Sequence, residues 1–193
     1  RHGLVESCNA YFSQLAMAMG PRPLIDAVSM FQIEVARPQS VDALRNTLPH
    51  AGYGQADVLA SPIKMARVAA AIANDGVAVR PQWTVDAAHA QGDRFLATSD
   101  ARRLASYMRE AVTSGTGRAV AGNATPIAGK TGTAEVQGRP SHSWFVGFAP
   151  HGGSRRLAFA VLIEHAGYGG RAAAPVAGEI VDAARDLGLF TRK

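Results

Sequence analysis

Apolar side chains recur at helical spacing in several segments of the first part of the chain. The spacing predicts helices over residues 10–19, 24–31, 61–76 and 99–114. On the first of them, one apolar stripe is formed by Phe12, Leu15, Ala16 and Met19. Residues 39–55 are predicted to be mostly irregular, because Pro49, Gly52 and Gly54 interrupt any regular pattern.

The pattern changes to that of strands in the last third of the chain. Apolar runs predict strands over residues 127–136, 143–149 and 157–164, and a shorter one over residues 77–79. Residues 86–93 are predicted to form a polar loop, and residues 175–187 a last helix. Short connections rich in Gly and Pro favour antiparallel hairpins. Helices followed by strands in this order indicate an α+β fold, with helices packed on an antiparallel β-sheet.

Composition indicates a globular domain, since 47% of the 193 residues are hydrophobic and 18% are charged. The formal net charge is +5, but the arginines are scattered and no basic stripe is interleaved with aromatic residues. Nucleic acid is therefore not an expected partner. The one cysteine, Cys8, excludes an internal disulfide and is predicted to be buried. The six histidines show no zinc-type spacing, so no metal and no cofactor are expected.

Candidate chemistry lies on the predicted strand that contains Lys130-Thr131-Gly132-Thr133. Because side chains alternate along a strand, Thr131 and Thr133 would line one face. Gly132 would let another backbone approach closely, and Lys130 adds positive charge. Such an edge suits an anionic, peptide-like substrate, but Lys-Thr-Gly alone is a weak match, and taken by itself it is better interpreted as part of an ordinary strand.

A second motif, Ser7-Cys8-Asn9, stands at the start of the first predicted helix. A Ser-x-Asn turn followed by a distant Lys-Thr-Gly strand makes up two of the three motifs of penicillin-binding proteins and serine β-lactamases. Further segments resemble the transpeptidase domain of class B penicillin-binding proteins: residues 7–12, 61–66, 73–76, 115–117, 141–150 and 173–177. This resemblance covers nearly the whole chain.

The third motif of that family, Ser-x-x-Lys with the nucleophile, precedes Ser-x-Asn and has no counterpart before Ser7. We therefore expect residues 1–193 to be the C-terminal portion of a single transpeptidase domain that starts just before Ser-x-Asn. Its penicillin-binding/β-lactamase-like fold would be incomplete here. Ser61-Pro62-Ile63-Lys64 also fits Ser-x-x-Lys, but it follows Ser-x-Asn, and we interpret Ser61 as a helix cap.

The resemblance implies a role for each matching residue. Ser7 would relay a proton, Asn9 would hold the substrate amide, and Lys130 would pair with Ser7. The substrate carboxylate and backbone would bind at Thr131, Gly132 and Thr133, and the N–H of Thr133 would be one oxyanion donor. The implied catalytic residues are thus Ser7, Asn9 and Lys130.

The resemblance also implies an activity, that of a peptidoglycan D,D-transpeptidase, a serine acyltransferase. Its implied partners are peptidoglycan stem peptides, β-lactam antibiotics and the missing N-terminal half of its own domain. The implied location is the bacterial periplasm, with an N-terminal segment absent here as the inner-membrane anchor, and the implied role is in cell shape or cell division. Two alternatives stay open: a non-catalytic sensor or scaffold module, and a D,D-carboxypeptidase or β-lactamase of the same superfamily.

Overall fold

The fold is built on one antiparallel sheet with helices on both faces. A computed structural model describes residues 1–82, 84 and 92–191. The α-helices of the described residues are α1 (His2–Val5), α2 (Asn9–Met19), α3 (Pro21–Ser29), α4 (Val41–Arg45), α5 (Leu48–Ala51), α6 (Pro62–Ala73), α7 (Thr98–Thr113) and α8 (Ala173–Asp186). A short 3-10 helix follows α7 at Arg118–Val120.

The sheet has three strands, in the order β1 (Ala128–Val136), β2 (Arg139–Ala149) and β3 (Leu157–Ile163). Both pairings are antiparallel, and Thr131 lies opposite Phe145 in the first of them. The predicted α+β fold with an antiparallel sheet is confirmed. β2 is the central strand, and it is buried from Phe145 to Ala149 because helices cover both of its faces.

The two faces of β2 contribute to different parts of the core. Phe145 packs with Phe159 and with the buried residues of α8, while Phe148 packs on the other face against α6 and α7. Gly129 on β1 lies under the ring of Phe145, since a Cβ there would come within 2.5 Å of the ring. The buried hydroxyl of Ser143 accepts a hydrogen bond from Ala173 N at 3.0 Å and so fixes the start of α8.

Two predicted elements are of a different kind in the structure, and the helix predicted over residues 24–31 lies at Pro21–Ser29. Residues 39–55 contain α4 and α5, so the prediction of a mostly irregular segment is wrong. The hydroxyl of Ser40 accepts a hydrogen bond from Ala43 N at 3.2 Å, which starts α4 although the helix has only five residues. The predicted strand over residues 77–79 is reduced to a single bridge between Val77 and Arg94.

The apolar stripe predicted on α2 is largely exposed: Leu15 is 39% and Met19 50% accessible, and only Ala16 is fully buried. The cause is that α2 packs on α5 through Ala16, which lies directly against Gly52. Cys8 is also exposed, so its predicted burial is wrong. The residue precedes α2 at the protein surface, where no core reaches it.

The remaining predictions concern helix starts and a loop. Ser61 occupies the N-cap position of α6, but its hydroxyl does not bond to the helix, so it caps by backbone conformation alone. α7 begins after Ala97 and not at Ser99. Most of the polar loop predicted over residues 86–93 lies outside the described residues. Among the described helices, none combines the length and the apolar character that a membrane crossing requires.

Candidate active site

The fold brings the Ser-x-Asn and Lys-Thr-Gly motifs into direct contact. Lys130 Nζ donates a hydrogen bond to Ser7 Oγ at 2.7 Å, although the two residues are 123 positions apart. Ser7 lies in the turn between α1 and α2 with a φ of 56°, a left-handed conformation that is uncommon for a serine. Lys130 lies near the start of β1. The bond therefore joins the turn before α2 to the edge of the sheet.

Lys130 has a perturbed ammonium group. Its Nζ also donates to Thr131 O at 2.8 Å, and no carboxylate of the described residues forms an ion pair with it. Burial without a counter-charge disfavours the charged form and lowers the pKa of Lys130 to about 8. Near neutral pH this lysine is mostly protonated and can lose its proton more readily than a solvated one.

Thr131 is part of a hydroxyl pair that the sequence analysis missed. Its Oγ1 lies 2.6 Å from Thr116 Oγ1, and either hydroxyl can be the donor. Thr116 follows α7 in the segment Gly115-Thr116-Gly117, which we used only as a point of resemblance. The position of Thr116 in a segment that resembles the family was the only indication in the sequence that this residue could belong to the site. Its contact with Thr131 depends on how α7 packs along β1 and could not be read from spacing.

A cavity of about 830 Å³ unites all six residues predicted for the site: Ser7, Asn9, Lys130, Thr131, Gly132 and Thr133. Its other lining residues with polar side chains are Tyr53, Gln55, Thr116, Arg118, Glu135, Tyr168 and Arg171. None of these seven was assigned to the site from the sequence, because they lie in loops or at element ends without a periodic signal. The arginines add positive charge at the cavity wall.

Asn9 is the first residue of α2 and lines this cavity. Within the described part of the chain, no hydrogen bond involves its side chain, and the residue is exposed. Its amide is therefore available to a ligand in the cavity. The role expected for Asn9 stays a prediction.

Gln55 lines the same cavity and forms hydrogen bonds with the outer edge of β1 near the end of the strand. Its Nε2 donates to Thr133 O at 3.0 Å, and its Oε1 accepts from Glu135 N at 3.2 Å. The sequence contains no local signal for this glutamine, because it lies in the connection after α5. The contact spans 78 residues to Thr133 and could not be anticipated from local pattern.

Two further residues are placed away from this site. Neither Ser61 nor Lys64 lines the cavity that contains Ser7 and Lys130, which agrees with their interpretation as residues of a helix start.

Trp144 is only half-buried and lines a second, apolar cavity of about 490 Å³ between the sheet and helices α6 and α7. In the described part of the chain, no group of three or more His, Cys, Asp or Glu side chains could hold a metal ion.

Comparison with known proteins agrees with this geometry. A model of the penicillin-binding protein transpeptidase domain matches residues 1–182. The chain belongs to this family. The matched residues include the Ser-x-Asn motif, the Lys-Thr-Gly motif and all three strands of the sheet.

A sequence relative within the family is the peptidoglycan D,D-transpeptidase PbpA of Mycolicibacterium smegmatis, 32% identical over 95% of this chain and 43% of the relative. The D,D-transpeptidase domain of a peptidoglycan glycosyltransferase from Eggerthella lenta superposes with a TM-score of 0.83 at 27% identity, covering 97% of this chain and 53% of that one. Penicillin-binding protein A of Mycobacterium tuberculosis, solved as an imipenem acyl-enzyme complex, gives a TM-score of 0.77 at 30% identity, covering 95% and 46%. The chain thus spans about half the length of these relatives or less.

Proposed function

We propose that this chain forms the C-terminal portion of a peptidoglycan D,D-transpeptidase domain and supplies the substrate-binding half of its active site. The hydrogen bond between Lys130 and Ser7 carries this proposal. It joins the two family motifs at the wall of a polar cavity, and the lysine has a pKa lowered to about 8. A group that titrates near the working pH is suited to proton transfer.

Ser7 and Lys130 would act together as a proton relay. Because Ser7 Oγ accepts a hydrogen bond from Lys130, its own O–H is free to donate onward. A proton can then pass from the ammonium through the hydroxyl to the amine of the substrate, which leaves as the substrate's acyl group is transferred to the nucleophilic serine. Asn9, which lines the same cavity, would orient the substrate amide with its carboxamide.

The edge of β1 would hold the rest of the substrate. The hydroxyls of Thr131 and Thr133 would bind the terminal carboxylate, and the protonated Lys130 would add positive charge nearby. In an antiparallel strand the N–H and C=O of one residue point to the same side. Since Thr133 O points away from β2 to Gln55, the Thr133 N–H is also directed outward, where an oxyanion donor is needed.

The nucleophilic serine and the second oxyanion donor would come from a preceding segment of the same domain, residues 1–193 being its C-terminal portion. Three features support this. The chain covers 43% of a curated relative, the apolar cavity of about 490 Å³ borders Lys130, and α2 exposes Tyr11, Leu15, Met17 and Met19. A helix that fills the cavity would bury its apolar lining and reach Lys130 at the same time.

The proposed substrates are peptidoglycan stem peptides, with β-lactam antibiotics as acylating inhibitors. These ligands share a carboxylate beside the acyl group that is attacked, which is the pattern that the threonines and Lys130 would recognise. The protein that carries this chain would act in the bacterial periplasm, anchored in the inner membrane by an N-terminal segment. It would serve cell-wall synthesis during cell shape maintenance or cell division.

Replacing the clamp hydroxyls tests the substrate-binding role. In the full-length protein, Thr131→Val and Thr133→Val each remove a hydroxyl and keep a β-branched side chain that suits a strand. A lost charge-assisted hydrogen bond should reduce the second-order rate of acylation by benzylpenicillin roughly 10- to 100-fold. Stopped-flow competition with a fluorescent penicillin measures this rate.

Thr113→Val is the matched control, because Thr113 is exposed at the end of α7 and does not line the cavity. Its rate should equal that of the wild type. Cross-linked product from a stem-peptide donor and acceptor distinguishes transpeptidation from simple release of D-alanine. Wild-type rates in both clamp variants would refute the assignment of Thr131 and Thr133.

A further inference from the structure

The outer edge of β1 directs backbone groups away from β2, and the pairing with β2 is regular up to Ala134 and shifts between Ala134 and Val136. β1 pairs with β2 on one side, so every second residue directs its N–H and C=O to the other side. The contacts identify these residues as Thr131, Thr133 and Glu135: Thr131 O accepts from Lys130 Nζ, while Thr133 O and Glu135 N bond to Gln55. An extended peptide that pairs with this edge needs the same groups.

The side chain of Gln55 supplies what an added strand would supply. The side-chain Nε2 donates to Thr133 O at 3.0 Å, and the side-chain Oε1 accepts from Glu135 N at 3.2 Å. The orientation of the carboxamide follows from its partners, because a carbonyl oxygen can only accept and a backbone N–H can only donate. Gln55 therefore acts as a short substitute for a peptide amide at the end of the β1 edge.

The backbone around Gln55 is shaped for this contact. Gly54 has a φ of 88° and Ala56 a φ of 60°, so left-handed residues stand on both sides of the glutamine. For alanine this conformation is unfavourable and persists only where the surrounding structure enforces it. A hydrogen bond from Gln55 N to His50 O at 3.0 Å ties the turn to α5. The turn thus presents the carboxamide to β1 from the side of the cavity.

Both outward carbonyls beside the cavity are therefore engaged. Thr131 O accepts a hydrogen bond from Lys130 Nζ, which also donates to Ser7 Oγ. Thr133 O accepts its hydrogen bond from the side chain of Gln55, a single residue on a loop. We propose that Gln55 is a specificity-determining residue that competes with the ligand's amide N–H for Thr133 O. A ligand amide that reaches Thr133 O from the same side as Gln55 Nε2 would displace the carboxamide. This inference rests on the proposed function, since it assumes that acylating ligands bind along β1.

Two variants remove the competitor in different ways. Gln55→Ala deletes both hydrogen bonds without changing charge. Gln55→Glu keeps an acceptor for Glu135 N but cannot donate to Thr133 O. Gln137→Glu is the matched control, because it makes the same chemical change at an exposed residue in the turn between β1 and β2.

The test compares two β-lactams on the full-length protein. Benzylpenicillin carries an acylamide N–H beside its lactam ring, whereas imipenem carries a hydroxyethyl group there. The ratio of the two second-order acylation rates, benzylpenicillin over imipenem, should rise roughly two- to tenfold in both Gln55 variants. It should keep the wild-type value in Gln137→Glu.

The ratio separates competition from a merely structural role. Both ligands react with the same folded molecules, so partial unfolding would lower both rates equally and leave the ratio unchanged. An unchanged or lower ratio in the Gln55 variants would overturn the proposal and show that Gln55 only supports β1. A wild-type protein that neither ligand acylates would instead refute the proposed function, which is a different result.

Discussion

Replacement of Lys130 by methionine is expected to reduce the acylation rate of the full-length protein by roughly 10²- to 10³-fold, since a preorganised charged donor is removed from the site. Methionine has a similar length and fills the same space without the ammonium. The hydrogen bond to Ser7 Oγ at 2.7 Å and the one to Thr131 O are both lost. The second-order rate with benzylpenicillin measures the effect.

The pH profile provides a second measure of the same group. Burial lowers the pKa of Lys130 to about 8, so the ammonium form is present below that pH and is lost as the pH rises through it. The wild-type acylation rate should therefore decline above about pH 8, and Lys130→Met should show no such decline. Lys64→Met is the control, because Lys64 does not line the cavity. A rate in Lys130→Met within threefold of the wild type would contradict the assigned role.

The second large effect concerns the sheet on which the site rests. Phe145 is fully buried on β2, stacks on Phe159 with ring centroids 6.2 Å apart and lies over Gly129. Phe145→Ala removes these contacts and leaves a cavity in the core. We expect a loss of about 3–5 kcal/mol in the free energy of unfolding, measured by urea denaturation.

The matched control for the core is a truncation at the surface. Leu187 is 75% exposed, and Leu187→Ala should change the free energy of unfolding by less than about 0.5 kcal/mol. A loss below about 1 kcal/mol for Phe145→Ala would show that this face of the sheet is not the tightly packed core. The position of β1 and Lys130 would then need another explanation.

The sheet could be predicted from the sequence because its strands are marked by continuous apolar runs and short turns. The segment with Lys130 was placed on a strand, and the structure has it on β1. α4 and α5 were missed because helices of five and four residues are too short to show a periodic pattern. The exposed stripe of α2 shows the opposite error, since periodicity predicts an apolar face without saying what covers it.

The site was predicted in part for a related reason. Its motif residues line one cavity, but their family resemblance, and not their spacing, pointed to Ser7 and Lys130 together. Thr116 and Gln55 reach the same edge of β1 from loops, through contacts with residues 15 and 78 positions away. Single polar residues in loops have no periodicity, so only the folded structure reveals their partners.

The position of the nucleophile can be determined by mapping the covalent adduct of a fluorescent penicillin on the full-length protein. We expect one adduct, on a serine that precedes this chain within a Ser-x-x-Lys motif, and none on Ser7 or Ser61. The 193-residue chain by itself should stay unlabelled. Stoichiometric labelling of Ser7 would contradict its role as a proton relay. An adduct on Ser61, or on the isolated chain, would contradict the proposal that the nucleophile comes from a preceding segment.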